Sequence, residues 1–144
     1  MGRRLARELA LKILYCYECG GGDITEIMKA ILSKKKYQNG VKDFCRELVS
    51  KTINNLTSID QTIAQVLKNW RYERVSLIDK LVLRIGTCEI CYFDDIPYEA
   101  TINEAIEIGK KYGTEDSGKF INGVLDAIGK ESQKKRKDES SNNQ

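Results

Sequence analysis

Apolar residues return at helical spacing along most of the chain, and almost nowhere at the two-residue spacing of a strand. Leu5, Ala6, Leu9, Ala10, Ile13, Leu14 and Tyr17 trace one broad face from Arg4 to Glu18, which predicts a first helix. Gly20, Gly21 and Gly22 end it, and Asp23 or Thr25 is placed to cap a short second helix through Ile24, Ile27, Met28, Ile31 and Leu32. Lys34 to Gly40 reads as a polar loop. Val41, Phe44, Cys45, Leu48, Val49, Thr52 and Ile53 give a third helix that Asn54 and Asn55 weaken. Thr57 or Ser58 would cap a fourth, carrying Ile59, Ile63, Val66, Leu67 and Trp70.

Ser76 followed by Asp79 resembles a capping box at the start of a fifth helix through Leu77, Leu81, Ile85, Cys88 and Tyr92. Val82, Leu83 and Ile90 extend its apolar coverage over most sides, so it belongs at the centre of the fold. The only proline, Pro97, falls before a sixth helix with Ile102, Ala105, Ile106 and Gly109 on its buried face, stopped by Gly113. A seventh carries Phe120, Ile121, Val124, Leu125 and Ile128, with Asp116 or Ser117 as its cap. Strand signals are absent, so the fold class is all-α: about seven helices in two small helical bundles, residues 3–56 and 57–130. After Lys130 the chain has no apolar residue, and 131–144 reads as a disordered polar tail.

A length of 144 residues suits one domain, able to bury about two-thirds of the surface its unfolded chain exposes. Hydrophobic residues at 41% and charged residues at 31% are those of a soluble globular protein, with no apolar run long enough to span a bilayer. The basic start intersperses charges with its apolar residues and is no signal peptide. There is no histidine, which removes the commonest general base and every Ser-His or Cys-His nucleophile pair. Five cysteines without a secretory leader fit a reducing cytoplasm. Cys16-x-x-Cys19 and Cys88-x-x-Cys91 have the spacing of half zinc sites, but both fall on helix patterns, where thiols act as small hydrophobes; neither a metal nor a cofactor is expected.

The net charge of +3 is modest, and its distribution says more. Arg3, Arg4 and Arg7 cluster at the start, Lys34, Lys35 and Lys36 form a run, Lys110, Lys111 and Lys119 flank the turn between the last two helices, and Lys134, Lys135, Arg136 and Lys137 lie in the tail. That turn presents Tyr112, Thr114, Glu115, Asp116, Ser117 and Lys119. If the N-terminal arginines fold beside it, the resulting rim suits single-stranded RNA: cations for phosphate, tyrosine for stacking, Asp and Ser for base edges and ribose hydroxyls. Asp116 has two readings, acceptor for a base amino group and cap of the last helix.

At these residues the chain resembles the NusB family of bacterial transcription antitermination factors. Pro97-Tyr98, Ile102-Asn103-Glu104-Ala105, Lys111 to Ser117 and Lys119 to Leu125 look like the family's C-terminal signature, and Arg3-Arg4-Leu5-Ala6-Arg7-Glu8 with Leu14-Tyr15 like its N-terminal one. The resemblance spans the chain except the tail. It implies a helical fold of two three-helix units with one further helix, no catalytic residue, and binding to boxA RNA of ribosomal RNA leaders together with NusE, a small-subunit ribosomal protein. The pair would join an RNA polymerase antitermination complex in the cytoplasm. By position, Arg3, Arg4, Arg7, Tyr112, Asp116, Ser117, Lys119 and Phe120 match the RNA-side motifs, and Tyr15 and Asp79 the NusE side. Asn103, Glu104 and Asn122 belong to the signature but sit within helices, where structural hydrogen bonding is an equal reading. Phe120 likewise has a reading as core.

Three positions depart from the pattern: Gly118, where the family often has histidine; Gly109, inside a helix; and the strongly basic Lys34 to Lys36 loop. Two other functions fit a helical chain of this kind. One is the RNA-binding domain of a ribosomal RNA cytosine methyltransferase, against which the sequence shows no Gly-rich cofactor loop after a strand. The other is a helical scaffold that binds only protein. Both a monomer and a homodimer covering the RNA surface are compatible with the sequence.

Overall fold

The computed structural model describes residues 2–68 and 72–142, so Trp70, placed by the sequence pattern in the fourth helix, lies outside the described residues. Among them the chain is all-α: α1 (Gly2–Gly20), α2 (Ile24–Leu32), α3 (Asn39–Asn54), α4 (Leu56–Val66), a 3-10 turn (Tyr72–Arg74), α5 (Leu77–Tyr92), α6 (Tyr98–Tyr112) and α7 (Ser117–Asn142). None of these helices is long and apolar enough to cross a membrane.

Local chemistry sets several ends. The Asp23 carboxylate accepts from the Thr25 amide at 2.8 Å and starts α2, and the Ser76 hydroxyl accepts from the Asp79 amide at 3.4 Å and starts α5. The cap expected from Thr57 or Ser58 is not used. α3 runs to Asn54, Asn55 is the only residue between it and α4, and both Thr57 and Ser58 lie inside the first turn of α4. The Asn55 side-chain amide donates to the Lys51 carbonyl at 2.8 Å, which satisfies the end of α3.

α5 occupies the centre. Leu81, Val82, Leu83, Ile85, Cys88 and Ile90 are all buried, because the helix packs against α1, α3, α4, α6 and α7. Truncating a residue such as Leu83 to alanine would cost about 2–5 kcal/mol. Two expectations about side-chain placement need correction. Leu5, read as part of the buried face of α1, is 41% exposed, and Ile106 is half-buried while Ile108 takes the inner position on α6.

The tail differs from its composition. Where disorder is expected after Lys130, α7 continues as helix to Asn142. A helix already nucleated by packing extends cheaply through Glu, Gln, Lys and Arg. Arg136 also ties the extension to the core, donating to the Ile90 carbonyl at 3.3 Å and to Asp94 Oδ1 at 3.0 Å.

Candidate nucleic-acid interface

The turn joining α6 to α7 is built from small residues. A Cβ on Gly109 would collide with Ile121 Cδ1 of α7, and one on Gly113 would collide with the Ser117 hydroxyl and come within 2.7 Å of the Gly109 carbonyl. Gly113 is therefore required by close approach, since its φ of −98° is open to any residue. Ser117 is 1% exposed, and its hydroxyl accepts from the Thr114 amide at 2.9 Å. This corrects the reading of Ser117 as a solvent-facing RNA contact: it folds the turn from inside. Asp116 makes no side-chain cap bond, and among the described residues its carboxylate has no partner.

With the turn held in this way, Asp116, Lys119 and Phe120 face the start of α5 across a cleft of about 460 Å³, whose other wall is Arg74, Val75, Ser76 and Asp79. Asp79 Oδ1 is buried there without a hydrogen-bond partner among the described residues. Lys119 and Arg74 also have no ion-pair partner among them. The cleft thus joins two unengaged cations, two carboxylates and an aromatic ring. Beside it, Tyr15 and Tyr112, 42% and 43% exposed, flank an apolar groove of about 230 Å³ over Leu11 and Ile78. Ile78 and Asp79 are consecutive, so groove and cleft lie on either side of the first turn of α5. Residues assigned by the sequence to an RNA side and to a partner side are therefore interleaved on one surface.

Of the N-terminal arginines, Arg4 lies along α6 toward this surface and Arg3 at the far end of α1, and most of their charge is engaged. Arg4 makes a two-pronged pair with Glu104, at 2.6 and 3.0 Å. That hydrogen bond holds the Glu104 carboxyl below its usual range and raises the Arg4 guanidinium. Lys111 donates to Glu8 at 2.7 Å, which raises its ammonium, and it stands 5.3 Å from the centre of the Tyr112 ring. Arg3 is exposed, 3.5 Å from Asp95 and 5.0 Å from the centre of the Phe44 ring.

Arg7 is the clear departure from the sequence reading. It is 5% exposed, and its guanidinium forks onto the buried Glu89 carboxylate, Nε to Oε2 at 2.8 Å and Nη2 to Oε1 at 2.6 Å. Thr101 of α6 donates to the same carboxylate at 3.2 Å. Arg7 therefore joins α1, α5 and α6 and has no face left for a phosphate. Glu89 and Thr101 were missed by sequence reasoning. The signal was present: an acid in the middle of a helix apolar on all sides has to be paired.

Of the other signature residues, Glu104 serves the Arg4 pair, whereas Asn103 and Asn122 are exposed. Gly118 is buried, and a Cβ there would stand 3.2 Å from Lys110, so a bulkier residue at this position would press on α6. The two cysteine pairs do not converge: Cys16 and Cys19 are exposed at the end of α1, while Cys88 is buried and Cys91 half-buried in α5. Among the described residues no three His, Cys, Asp or Glu side chains gather as a metal-holding group.

A cleft with unengaged cations, carboxylate acceptors and an aromatic ring, pinned between two helix ends of an all-α protein, is of the class that suits single-stranded nucleic acid. Comparison with known proteins makes this specific. The NusB family model matches residues 4–130, and the chain belongs to the NusB family. The transcription antitermination protein NusB of Fervidobacterium nodosum is 43% identical over 135 residues, covering 94% of this chain and 95% of its own. The solved structure of NusB from T. maritima is 42% identical, with a TM-score of 0.84 over 90% of this chain and 91% of that one. A NusB solved in complex with NusE and double-stranded RNA is 28% identical, with a TM-score of 0.81, covering 90% of this chain and 96% of that one.

Proposed function

We infer that this chain is a transcription antitermination factor that binds boxA-type single-stranded RNA together with NusE and acts on ribosomal RNA transcription, as a binding adaptor rather than an enzyme. The observation that carries the reading is the cleft at the α6–α7 turn. Asp116 offers a base amino group an acceptor, Lys119 and Arg74 offer phosphate a cation, and Phe120 offers a base a ring edge or face. Tyr112 stands on the rim, where its exposed ring can stack. Arg4 supplies charge along α6 and Arg3 at the far end of α1, whereas Arg7 and Ser117 act by holding the elements that present the others. Tyr15, beside the apolar groove, and Asp79, with its unsatisfied oxygen, are the partner-side residues. Their position against the cleft gives a physical reason for RNA and NusE to bind together: each covers part of one continuous surface. Work in an RNA polymerase antitermination complex puts the chain in the cytoplasm.

The test is a titration of the full chain against boxA-like RNA and a scrambled control, each with and without NusE. Preference for the boxA-like RNA, strengthened by NusE, is expected. Asp116→Asn should change base preference more than overall affinity, and Tyr15→Asp should weaken the NusE effect while leaving helical circular dichroism unchanged. Equal binding of both RNAs in both conditions would overturn the reading.

A further inference from the structure

Three basic segments far apart in sequence lie toward the end of the molecule away from the cleft. The first turn of α1 brings Arg3 there. A Cβ on Gly2 would lie 2.7 Å from Val41 Cγ2, and the Arg3 guanidinium lies 5.0 Å from the centre of the Phe44 ring, so the start of α3 sits against the start of α1. Lys36 is five positions before Val41 in the chain, within about 18 Å even if fully extended. The exposed lysines 34, 35 and 36 are thereby held at this end.

The third segment is the extension of α7. Arg3 pairs with Asp95 at 3.5 Å, and Arg136 pairs with the adjacent Asp94 at 3.0 Å. The two acids of the α5–α6 connection are thus each matched by an arginine, one from each chain end. With Arg136 turned to the core, Lys134 and Lys137, three apart, share a side of the helix that points elsewhere. Lys34, Lys35, Lys36, Lys134 and Lys137 have no ion-pair partner among the described residues, and residues 33–42 contain four lysines and no acid. The α7 extension also lies beyond residue 130, where the family match ends.

We propose that this end of the molecule is a second RNA-binding surface, an electrostatic track for the phosphates of nucleotides flanking the segment bound at the cleft. The proposal rests on the RNA-binding reading above. The lysines are point charges on flexible stems, and the neighbouring Tyr37 is packed against the core, so the track takes phosphates without reading bases. The two acids of the α5–α6 connection are paired with Arg3 and Arg136, which lessens the repulsion a phosphate would meet there, while Asp138 and Glu139 mark where the track ends along α7. A continuous RNA strand would then be read at the α6–α7 turn and held beyond it.

The experiment compares a short boxA-like RNA with the same RNA carrying unstructured nucleotides on both sides, titrated against the full chain with NusE present. The extended RNA should bind more tightly. Three additional phosphate contacts at a slope of about 0.7 each imply that the gain shrinks roughly 20-fold between 50 and 200 mM salt. The triple variants K34Q/K35Q/K36Q and K134Q/K135Q/K137Q should each reduce the gain and leave the short RNA unaffected, while the lysine-to-arginine triples retain it. Equal affinity of the wild type for both RNAs, or a gain that survives both glutamine triples, would overturn the proposal. So would loss of NusE binding in either triple with RNA gain intact, which would make this end a protein-docking surface. Failure of the short RNA to bind the wild type would instead overturn the RNA-binding reading on which the proposal stands.

Discussion

Arg7→Ala is the substitution on which the sequence motif and the structure disagree most sharply. The motif makes Arg7 a phosphate contact, so its loss would weaken RNA binding and spare the fold. The structure predicts the reverse order of effects. Removing the guanidinium leaves the Glu89 carboxylate, 1% exposed, with only the Thr101 hydroxyl at 3.2 Å. Breaking a buried, two-pronged pair from one side typically costs about 3–5 kcal/mol, because the remaining charge stays desolvated. At roughly 0.3 kcal/mol per degree of unfolding entropy for a domain this size, that is a fall in Tm of about 10–17 °C. The exposed pair supplies the control: Arg4→Ala breaks bonds of similar length to Glu104, yet should cost far less because water replaces them. Thermal and urea unfolding followed by circular dichroism would give both numbers. R7M/E89L, which removes both charges and fills the space with apolar groups, should recover most of the loss, in keeping with buried pairs that are costly to break but replaceable. An Arg7→Ala protein with unchanged Tm and several-fold weaker RNA binding would refute the structural assignment and restore the motif's reading.

Three further outcomes are expected. Ellman's reagent near pH 8 should react quickly with Cys16 and Cys19 and more slowly with Cys91, while Cys45 and Cys88, whose thiols burial pushes up to about 11, react only on unfolding; five fast thiols in the folded protein would contradict this packing. Glu104 is held low by Arg4, so its contribution to stability is present above the ordinary carboxylate range and is lost as pH falls through its depressed value; carbon NMR of the carboxyl should show the low midpoint in wild type and a normal one in Arg4→Ala. On the proposed reading Arg7 is withdrawn and Arg3 lies at the far end of α1 beside Asp95, which leaves Arg4, Arg74 and Lys119 as phosphate contacts, so the short RNA should lose roughly 20-fold in affinity between 50 and 200 mM salt at a slope of about 0.7 per contact, and a flat profile would remove the electrostatic account.

Periodicity alone gave the seven helices and the central place of α5, because a 3.6-residue apolar repeat is a property of one segment and needs no partner to be seen. The signature turn was legible for a related reason: glycines and short polar residues between two amphipathic stripes mark a helix end. Partnerships between segments were not legible. Whether Arg7 or Arg3 points outward depends on which residue of α5 or α6 lies opposite, and Glu89 is separated from Arg7 by 82 positions. The exposure of Leu5 and the helical tail failed for the same reason, since the first depends on where α2 and α3 leave α1 uncovered and the second on Arg136 finding Asp94.

The ion pairs of the α1–α6 side also bear on how the surface works. A chain that binds RNA through arginine has to keep those arginines from being satisfied too well at home. Arg7 is satisfied fully, at a buried site, and becomes structural. Arg4 is satisfied at an exposed site, with 53% of its side chain still accessible and its partner Glu104 one-quarter so. An exposed pair of that kind adds little to stability, and a phosphate offers the same fork at least as good an acceptor, so the exchange from carboxylate to phosphate costs little. Glu104 then acts as a holding group: it keeps the Arg4 fork extended along α6 in the free protein, so that less side-chain entropy remains to be lost when RNA arrives. Lys111 and Glu8 repeat the arrangement one turn further along α1, toward Tyr112. On the proposed reading, the same acids that lower the net positive charge of this face also preorganise its cations, so a net charge of only +3 is compatible with an RNA-binding surface here.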